Sequence, residues 1–522
     1  MTLLRAKYQD RTATAPALPG ATILDALAPT ELRVRTGCNG NGSCGLCRVR
    51  ILSGPVSTPT EEERINLGPA LLEAGVRLAC QTTALGEVAL EVENLAPRTE
   101  WTGIADGLLD GPGRRAPAPA GAAAALVALD IGTTNLNLTV WDPRGSRRRA
   151  ALRGANPQVR FGADIIARLE AAADPAAARR LAGAIEHAVA AALQVAAAEA
   201  GPDASCAVMA VGNTAMLALL RGSGEALLAP GAWACPALWP PEERLRWDLF
   251  DHRQADVTLV PPLGGFVGSD LLAAALAAGL AQDLGPTLLV DFGTNTEIAL
   301  WDGATLWVTS AAGGPAFEAC GLSCGVPADD GAIARVRPGS PLGFEVIGGV
   351  APKGVCGTGL VDWIACLVQS GTLTRTGNFH LRNGAGPPAL GGAERGISLS
   401  KRDIDIFQRA KAAIGAGIQI LMDQAGIRSR DLGRVVTTGL FGRGLDIANA
   451  QAIGLLPGVP AERVETHCNL ALAGCEAMLI APEGAHAADP LRARVRIVNM
   501  AACHDFEDHY VRNLFLAPLE NP

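Results

Sequence analysis

Three cysteines lie within ten residues in the stretch Cys38-Asn-Gly-Asn-Gly-Ser-Cys44-Gly-Leu-Cys47. A fourth, Cys80, follows after 32 residues in Leu-Ala-Cys-Gln-Thr. Glycine allows backbone conformations in which amide N–H groups point toward a bound anion. The stretch has four glycines in it or beside it, Gly37, Gly40, Gly42 and Gly45. The four thiols therefore predict a metal site in which one loop supplies three ligands and a distant residue supplies the fourth.

The spacing of the cysteines indicates which metal group they bind. It reads C-x5-C-x2-C, which is one residue longer at the first gap than the plant-type 2Fe-2S pattern. It resembles the other large group of single-cluster 2Fe-2S ferredoxins. Four cysteines also suit tetrahedral zinc, but zinc sites usually pair two short C-x2-C arms. We therefore predict a 2Fe-2S cluster, with structural zinc as the alternative, and the expected ligands are Cys38, Cys44, Cys47 and Cys80.

Composition limits the classes of function. At 522 residues the chain is too long for one core of ordinary size and predicts about three units. The net charge of -8 and the short basic runs argue against a nucleic-acid partner. The apolar segments are too short to span a bilayer, and the N-terminus lacks an apolar signal-peptide core. We expect a cytoplasmic protein that binds neither nucleic acid nor membrane.

The chain divides into three parts. Residues 1–96 predict a small mixed α/β module, in which a strand follows Cys47 and a helix begins at Thr60 before three glutamates. We assign this module a β-grasp-like 2Fe-2S ferredoxin fold. Residues 97–125 are rich in Gly, Pro and Ala and predict a linker that lets the module travel between partners. Residues 126–522 then form one large domain.

The large domain contains the same pattern twice. An apolar strand ending in aspartate, a glycine-rich turn and a second strand occur at residues 126–142 and again at 287–302. Such a hairpin presents amides and hydroxyls to phosphate while its aspartate holds a hydrated cation. The repeat predicts two similar lobes, each with one hairpin facing a cleft. The matching positions are Asp130, Gly132, Thr133 and Thr134 in the first copy and Asp291, Gly293, Thr294 and Asn295 in the second.

These hairpins resemble those of the superfamily of actin, sugar kinases and heat-shock chaperone ATPases. The resemblance implies a two-lobed, ribonuclease-H-like α/β ATPase domain whose hairpins grip the phosphates of ATP and a magnesium ion. In that superfamily a late glycine-rich turn touches the adenosine. Residues 434–444 look like this turn, and Gly439 and Gly442 would let the backbone approach the nucleoside. ATP and Mg are therefore the expected cofactors of this domain.

Two further segments give weaker candidates. Gly313 and Gly314 predict an anion-binding turn before a helix that carries Glu318, with a purely structural turn as the alternative. Asp270 lies at the start of an alanine-rich helix. It is either the N-terminal cap, which we favour, or a carboxylate that orients the attacking water.

A core helix between the lobes is predicted at residues 403–421, where apolar residues recur on one face. Lys411 lies on the polar side of this helix. We expect it at the surface rather than in a catalytic role.

The whole combination resembles the reductive activators of corrinoid proteins, which are iron-sulfur ATPases that return an oxidised Co(II) corrinoid to Co(I). The resemblance implies a corrinoid protein as the partner, either of a methyltransferase system or a methionine synthase. Its signature stretches are Asn156–Arg168, Val211–Thr214, Ala312–Glu318 and Gly354–Leu360. The chain departs from the family in two respects. Many members have a small extra domain where this chain has only residues 97–125, and many have glycine at the position of Thr296.

Two other functions fit the same residues. A redox-sensing small-metabolite kinase would use the same phosphate hairpins, although the sequence has no sugar-binding signature. The other is a simple ferredoxin-type electron carrier whose nucleotide site is regulatory or vestigial. With a vestigial site, reduction of the partner would be indifferent to ATP, but the presence of both Asp130 and Asp291 argues against a decayed site. The sequence names no upstream electron donor, and a homodimer is compatible with it.

Overall fold

The computed structural model describes most of the chain. The described residues are 2–36, 38, 40–96, 100–111, 125–162, 165–200, 205–229, 239, 243–249, 254–311, 313, 315–318, 321–339, 341–380, 389–390 and 397–519. They form two compact units. The first contains Met1–Arg98 and Pro315–Arg409, and the second contains Thr99–Gly314 and Ala410–Pro522.

Residues 1–96 form a small α/β module around one five-stranded sheet. Its strands are in the order β2-β1-β5-β3-β4, and β1 and β5 are parallel. Capping boxes start both helices, because Thr22 and Thr60 each bond to the backbone three residues later. The helix predicted at Thr60 is thereby confirmed. The elements are β1 (Thr2–Tyr8), β2 (Arg11–Ala17), α1 (Ile23–Leu27), β3 (Arg48–Ser53), α2 (Glu61–Glu73), β4 (Val76–Leu78) and β5 (Val88–Val92).

Residues 100–283 form a seven-stranded sheet with helices. The strand order is β11-β12-β10-β7-β8-β9-β6. The elements are β6 (Thr102–Gly103), β7 (Ala125–Ile131), β8 (Asn135–Trp141), β9 (Arg148–Ala155), α3 (Ile165–Ala171), α4 (Pro175–Ala200), β10 (Ser205–Gly212), α5 (Thr214–Arg221), β11 (Glu243–Asp248), β12 (Gln254–Leu259) and α6 (Ser269–Ala277).

Residues 287–519 contain the second large sheet, in the order β22-β21-β13-β14-β15-β23, and two small sheets. The helix predicted at residues 403–421 is α8. Among the described residues, no helix is long and apolar enough to cross a bilayer. The elements are β13 (Thr287–Phe292), β14 (Thr296–Trp301), β15 (Leu306–Ala311), β16 (Ala332–Arg337), β17 (Gly343–Val346), β18 (Gly354–Val355), α7 (Gly357–Gln369), β19 (Ala389–Leu390), β20 (Ile397–Ser398), α8 (Lys401–Ala425), β21 (Arg434–Thr438), α9 (Gly439–Gly444), α10 (Ile447–Ala452), β22 (Val464–Thr466), α11 (Leu470–Ile480), α12 (Asp489–Arg492), β23 (Val495–Ile497) and α13 (Phe506–Asn513).

The two large sheets share one topology, which confirms the repeat predicted from the hairpins. In the first, β7, β8 and β9 form an antiparallel meander, β10 lies parallel to β7, and β12 lies parallel to β10. In the second, β13, β14 and β15 form the same meander, β21 lies parallel to β13, and β22 lies parallel to β21. Each lobe of the predicted ATPase domain therefore has its own sheet.

Helices α6 and α11 join the two lobes through a shared core. That core contains Ala128 and Met209 from the first sheet and Leu289 and Ala299 from the second. The helices cross at Gly474, where an added Cβ would lie 1.9 Å from the carbonyl oxygen of Ala273. Only glycine allows the two backbones to approach this closely.

Part of the predicted linker packs on the first lobe. Thr102–Gly103 pairs with β9, and the indole N–H of Trp101 donates to the carbonyl oxygen of Ala188 at 2.8 Å. Residues 97–99 and 112–124 of the predicted linker lie outside the described residues.

The expectation that Lys411 lies at the surface is wrong. The residue is 1% exposed, and its ammonium donates to the carbonyl oxygen of Phe515 at 2.8 Å. Burial lowers the pKa of the Lys411 amine from its ordinary 10.5 to about 7, because the charged form loses hydration.

We predict that Lys411→Met removes a pH dependence of stability. Between pH 7 and 10 the unfolded chain binds this proton and the folded chain does not, so stability rises with pH. The wild type should gain about 1.4 kcal/mol per pH unit relative to the variant. Urea unfolding at pH 7 and pH 9 measures this difference. Lys401→Met, which changes an exposed lysine at the start of the same helix, is the control. An identical pH response of wild type and Lys411→Met would contradict the burial of this amine.

We also predict that Gly474→Ala destabilises the protein by about 1–3 kcal/mol, because the new methyl group overpacks the helix crossing. Gly183→Ala in α4 is the matched control. An added Cβ there would have its nearest neighbour at 3.9 Å, and alanine favours the helix. Thermal unfolding should show a lower midpoint for Gly474→Ala alone. Equal midpoints for the two variants would contradict the close approach of Gly474 to the backbone of Ala273.

Candidate functional site

The four predicted cluster cysteines lie together in the first unit. Cys38, Cys44, Cys47 and Cys80 are each at most 8% exposed, and the sulfurs of Cys47 and Cys80 are 3.3 Å apart. Hydrogen bonds among the neighbouring thiols lower the pKa of Cys38 and of Cys47 and raise the pKa of Cys80. Backbone N–H groups of Cys44 and Cys80 also bond to the sulfurs of Cys38 and Cys47. The thiols share protons that a bound metal would displace.

Side-chain amides hold the cysteine loop from outside. Gly40 and Gly42 have φ of +88° and +86°, a conformation in which glycine is favoured over other residues. Gly37, which was expected to act with them, lies outside the described residues. The amides donate to loop carbonyl oxygens at 2.8–2.9 Å, from Gln81 to Gly40, from Asn66 to Gly42 and from Asn94 to Leu46.

A loop from later in the chain completes this site within the same unit. The N–H of Gly321 donates to the carbonyl oxygen of Cys44 at 2.8 Å, and Arg48 donates to that of Ser323 at 2.9 Å. Asp403, at the start of α8, accepts from the N–H and the hydroxyl of Ser323 at 2.7 and 2.6 Å. No pattern in the sequence indicates this contact, because it joins residues about 280 positions apart.

In the second unit, two amides hold the carboxylate of Asp130. Asn137, its neighbour across the hairpin, donates to Oδ2 at 2.9 Å, and Asn469 donates to the same oxygen at 2.8 Å. Both amides have a fixed orientation. Asn137 accepts from Arg153 at 2.9 Å, and Asn469 caps α11 by accepting from the N–H of Leu472 at 2.8 Å.

Three side chains fix the turn of the first hairpin, and each comes from a stretch that the sequence had singled out. They are Asn156, which donates to the carbonyl oxygen of Gly132 at 2.8 Å, Arg168, which donates to that of Thr133 at 2.8 Å, and Asn213, which donates to the hydroxyl of Thr133 at 3.0 Å.

The second hairpin meets the first at its tip. The hydroxyls of Thr134 and Thr294 are 3.2 Å apart, so the turns at Gly132–Thr134 and Gly293–Asn295 lie side by side. Glu297 lies opposite Asp291 across this hairpin, where the first hairpin has Asn137 opposite Asp130.

Four carboxylates interact around these hairpins, those of Asp130, Asp270, Asp291 and Glu297. Burial raises the pKa of each. Repulsion by Asp130 adds to this at Asp270, and repulsion by Asp270 adds to it at Asp291 and Glu297. The pKa reaches about 7 for Asp270 and about 8 for Asp291. A cation nearby would offset this repulsion and favour the ionised carboxylates.

The favoured interpretation of Asp270 as a helix cap is wrong. Gly268 is the N-cap residue of α6, and Asp270 lies two positions later. Its carboxylate accepts from the N–H of Leu271 at 2.9 Å and interacts with the other acids. Its role toward an attacking water stays a prediction.

Gly439 and Gly442 pack against the second hairpin. Gly439 begins α9 with φ of +88°, and an added Cβ would lie 2.5 Å from the carbonyl oxygen of Phe292. An added Cβ at Gly442 would lie 3.1 Å from the Phe292 ring. Their contact with a nucleoside stays a prediction.

The remaining candidates are less closely connected with the hairpins. Gly313 is buried, and its N–H donates to the carbonyl oxygen of Ala311 at 2.9 Å, whereas Gly314 lies outside the described residues. Glu318 belongs to the first unit and ends a four-residue 3-10 helix, Pro315–Glu318, rather than an α-helix. The proposed roles of these residues stay predictions.

Sequence reasoning missed Glu297, Asn137 and Asn469. Glu297 and Asn137 could have been found by counting the hairpin register outward from each turn. Asn469 precedes an apolar helical run and has the signature of an N-cap. No feature of the neighbouring sequence indicates that the Asn469 amide reaches Asp130, which lies 339 positions earlier in the chain.

Comparisons with known proteins agree with this arrangement. The 2Fe-2S iron-sulfur cluster binding domain matches residues 6–85, the RACo middle region matches 126–283, and the C-terminal domain of RACo, the ASKHA domain, matches 285–521. The corrinoid activation enzyme RamQ of Eubacterium limosum is 31% identical over 414 residues, which are 74% of this chain and 69% of RamQ. The chain belongs to the RACo family. The ferredoxin match supports a 2Fe-2S cluster rather than zinc, and the predicted family and fold class are confirmed.

Two further relatives extend the comparison. The Co(II) methylated amine-specific corrinoid protein reductase of Methanosarcina barkeri is 28% identical to this RACo-family chain over 244 residues, 42% of this chain and 43% of that protein. A solved reductive activator for corrinoid, iron-sulfur protein has a TM-score of 0.65 at 21% identity and covers 99% of each chain. That likeness shows a shared fold.

We predict that the anaerobically purified protein contains two irons and two sulfides per chain and that Cys44→Ser loses most of both. Serine replaces a thiolate ligand with a hydroxyl that binds iron weakly. Iron and sulfide analysis with the visible absorption spectrum measures this. Cys503→Ser changes a cysteine outside the cluster site and should keep the full content. Zinc in place of iron, or four irons per chain, would contradict the assignment.

Proposed function

We propose that this chain is an ATP-dependent reductive activator that returns an oxidised Co(II) corrinoid protein to Co(I) by one-electron transfer through its 2Fe-2S cluster. The observation that carries the proposal is the combination, in one chain, of a buried four-cysteine site and two phosphate hairpins around an acidic group. Its relatives support it, because one is named a corrinoid activation enzyme and another a reductase of a Co(II) corrinoid protein.

The four cysteines fit the cluster. Their sulfurs are in contact, and backbone N–H groups already bond to two of them. A bound cluster supplies a site for one electron at roughly -400 mV or above. The chain holds the loop by its amides and keeps water from the sulfurs by burial, and both effects tune the potential of such a site.

The two hairpins fit a magnesium nucleotide. The amides and hydroxyls of Gly132–Thr134 and Gly293–Asn295 would bind phosphate, and Asp130 and Asp291 would hold the hydrated magnesium through its water molecules. Asp270 and Glu297 would help to balance its charge. Magnesium prefers oxygen ligands, and these carboxylates repel one another until a cation is added. Bound magnesium would neutralise phosphate charge.

ATP is needed because the electron moves uphill. Transfer against about 120 mV costs roughly 2.8 kcal/mol, which nucleotide binding and hydrolysis can supply. In this proposal the nucleotide shifts a conformational equilibrium toward a complex in which the cobalt of the partner changes its axial coordination and is easier to reduce.

The partner is a corrinoid protein of a methyltransferase system or a methionine synthase. Activation is useful only for the oxidised cofactor, so we propose that the chain binds the Co(II) form more tightly than the methylated form. The upstream electron donor is left open.

The decisive test mixes the protein with a reductant, Mg-ATP and a Co(II) corrinoid protein, and follows the Co(I) absorption band. We predict that the band forms with the wild type and that Asp291→Asn abolishes it. Asparagine matches the protonated carboxyl that burial favours at Asp291, whose pKa is about 8. The thermal midpoint should therefore not fall, while a carboxylate that holds the magnesium is lost.

Asp256→Asn, at an exposed position on β12, is the control and should retain activity. Formation of Co(I) without ATP would leave only the simple electron carrier. A phosphorylated small metabolite without Co(I) formation would indicate the kinase instead.

A further inference from the structure

Residues 100–111 are held at two places, one on the first lobe and one on the loop between β22 and α11. At the first, Thr102–Gly103 forms β6 and pairs with β9, with Thr102 opposite Arg153. The ring of Trp101 lies on the same strand, since a Cβ at Gly154 would be 3.1 Å from it. The indole N–H is bonded to the carbonyl oxygen of Ala188. This end of the segment is therefore fixed to β9 and α4.

The second place is the carboxylate of Asp110, whose side chain is 12% exposed. It accepts from the N–H of Asn469 at 2.6 Å, from the N–H of Cys468 at 2.9 Å and from the His467 ring at 3.1 Å. Burial opposes its ionisation, but the bonds from His467 and Asn469 lower the pKa of Asp110 overall. An ionised carboxylate thus holds the loop that precedes α11.

Each place is connected to Asp130 by hydrogen bonds through one or two intervening residues. Asn469, held by Asp110 through its backbone, donates its side-chain amide to Asp130 Oδ2. Arg153, held by β6 through strand pairing, binds the Asn137 amide, which donates to the same oxygen. The two amides that hold Asp130 are therefore both supported by this segment.

We infer that residues 100–111 position Asp130 for the magnesium nucleotide, with Asp110 as a positioning residue that acts through Asn469. The inference rests on the proposed function, since Asp130 must serve the nucleotide site. It gives the segment between the ferredoxin and ATPase parts of the sequence a second task besides connection. Displacement of the segment would alter Asp130, and by linkage a ligand at Asp130 would alter the hold on the segment.

The first experiment measures ATP hydrolysis by the full-length protein as a function of magnesium concentration. Asp110→Asn keeps the shape of the side chain and removes its charge. It should raise the magnesium concentration for half-maximal rate about tenfold, as loss of support behind a metal ligand does, and excess magnesium should restore the rate. If Asp110 only stabilised the fold, Asp110→Asn would lower the amount of folded protein and leave the magnesium concentration for half-maximal rate unchanged. Asp106→Asn, an exposed acid in the same segment, is the control and should behave as wild type.

The second experiment measures how far magnesium alone, without nucleotide, raises the thermal midpoint. If Asp110 acts through the Asn469 amide, this rise should be smaller in Asn469→Ala than in the wild type, and it should be no smaller in Asp110→Asn/Asn469→Ala than in Asn469→Ala. If the wild type hydrolyses ATP and Asp110→Asn has the same magnesium dependence, the inference is overturned and the proposed function is unaffected. A wild type that hydrolyses no ATP would reject the proposed function, whereas a double variant that loses the magnesium-induced rise additively would overturn the linkage through Asn469.

Discussion

The close crossing of α6 and α11 is the constraint on which the rest of the ATPase structure depends. Each large sheet has an apolar face to bury, and these two helices cover both faces in one shared core. Gly474 permits the crossing, because any side chain there would meet the backbone of Ala273. The same helices begin beside the acidic site, with Asp270 in the first turn of α6 and Asn469 as the cap of α11. Core packing thus sets the positions of two residues that neither hairpin contains.

The acidic site brings together carboxylates that repel one another. Burial and mutual repulsion raise the pKa of Asp270 to about 7 and that of Asp291 to about 8, and they also raise the pKa of Glu297 well above its usual value. Binding of a cation to such a site would be more favourable than binding to carboxylates that do not repel one another. The cation would relieve the repulsion as well as form bonds to oxygen. Asp130 differs from the others because two oriented amides bind it. Hydrogen bonds therefore fix the position of Asp130 before any ligand binds. Residues 100–111 contact both residues that orient these amides or carry them, Arg153 and Asn469.

The ferredoxin module is more than a separate electron carrier attached to an ATPase. Its cysteine loop receives a hydrogen bond from Gly321 and gives one through Arg48 to Ser323, both outside residues 1–96. Asp403 holds Ser323 in turn. Hydrogen bonds and solvent exposure set the potential of iron-sulfur sites. A change in this loop would therefore alter the environment of the cluster without altering any cysteine.

The sequence by itself indicated the four cysteines as candidate ligands, the duplicated hairpins and the family, since each depends on spacing within a short stretch or on comparison of one stretch with another. Register counting would have added Glu297 for the same reason. Only the tertiary structure decided that Asp270 joins the acids rather than capping its helix, that Lys411 is buried, and that Asp110 and Asn469 support Asp130. These facts depend on contacts between residues far apart in the chain, such as the 339 positions between Asp130 and Asn469. Local pattern cannot indicate such contacts, because whether a polar side chain meets solvent or a partner is decided by which elements pack over it.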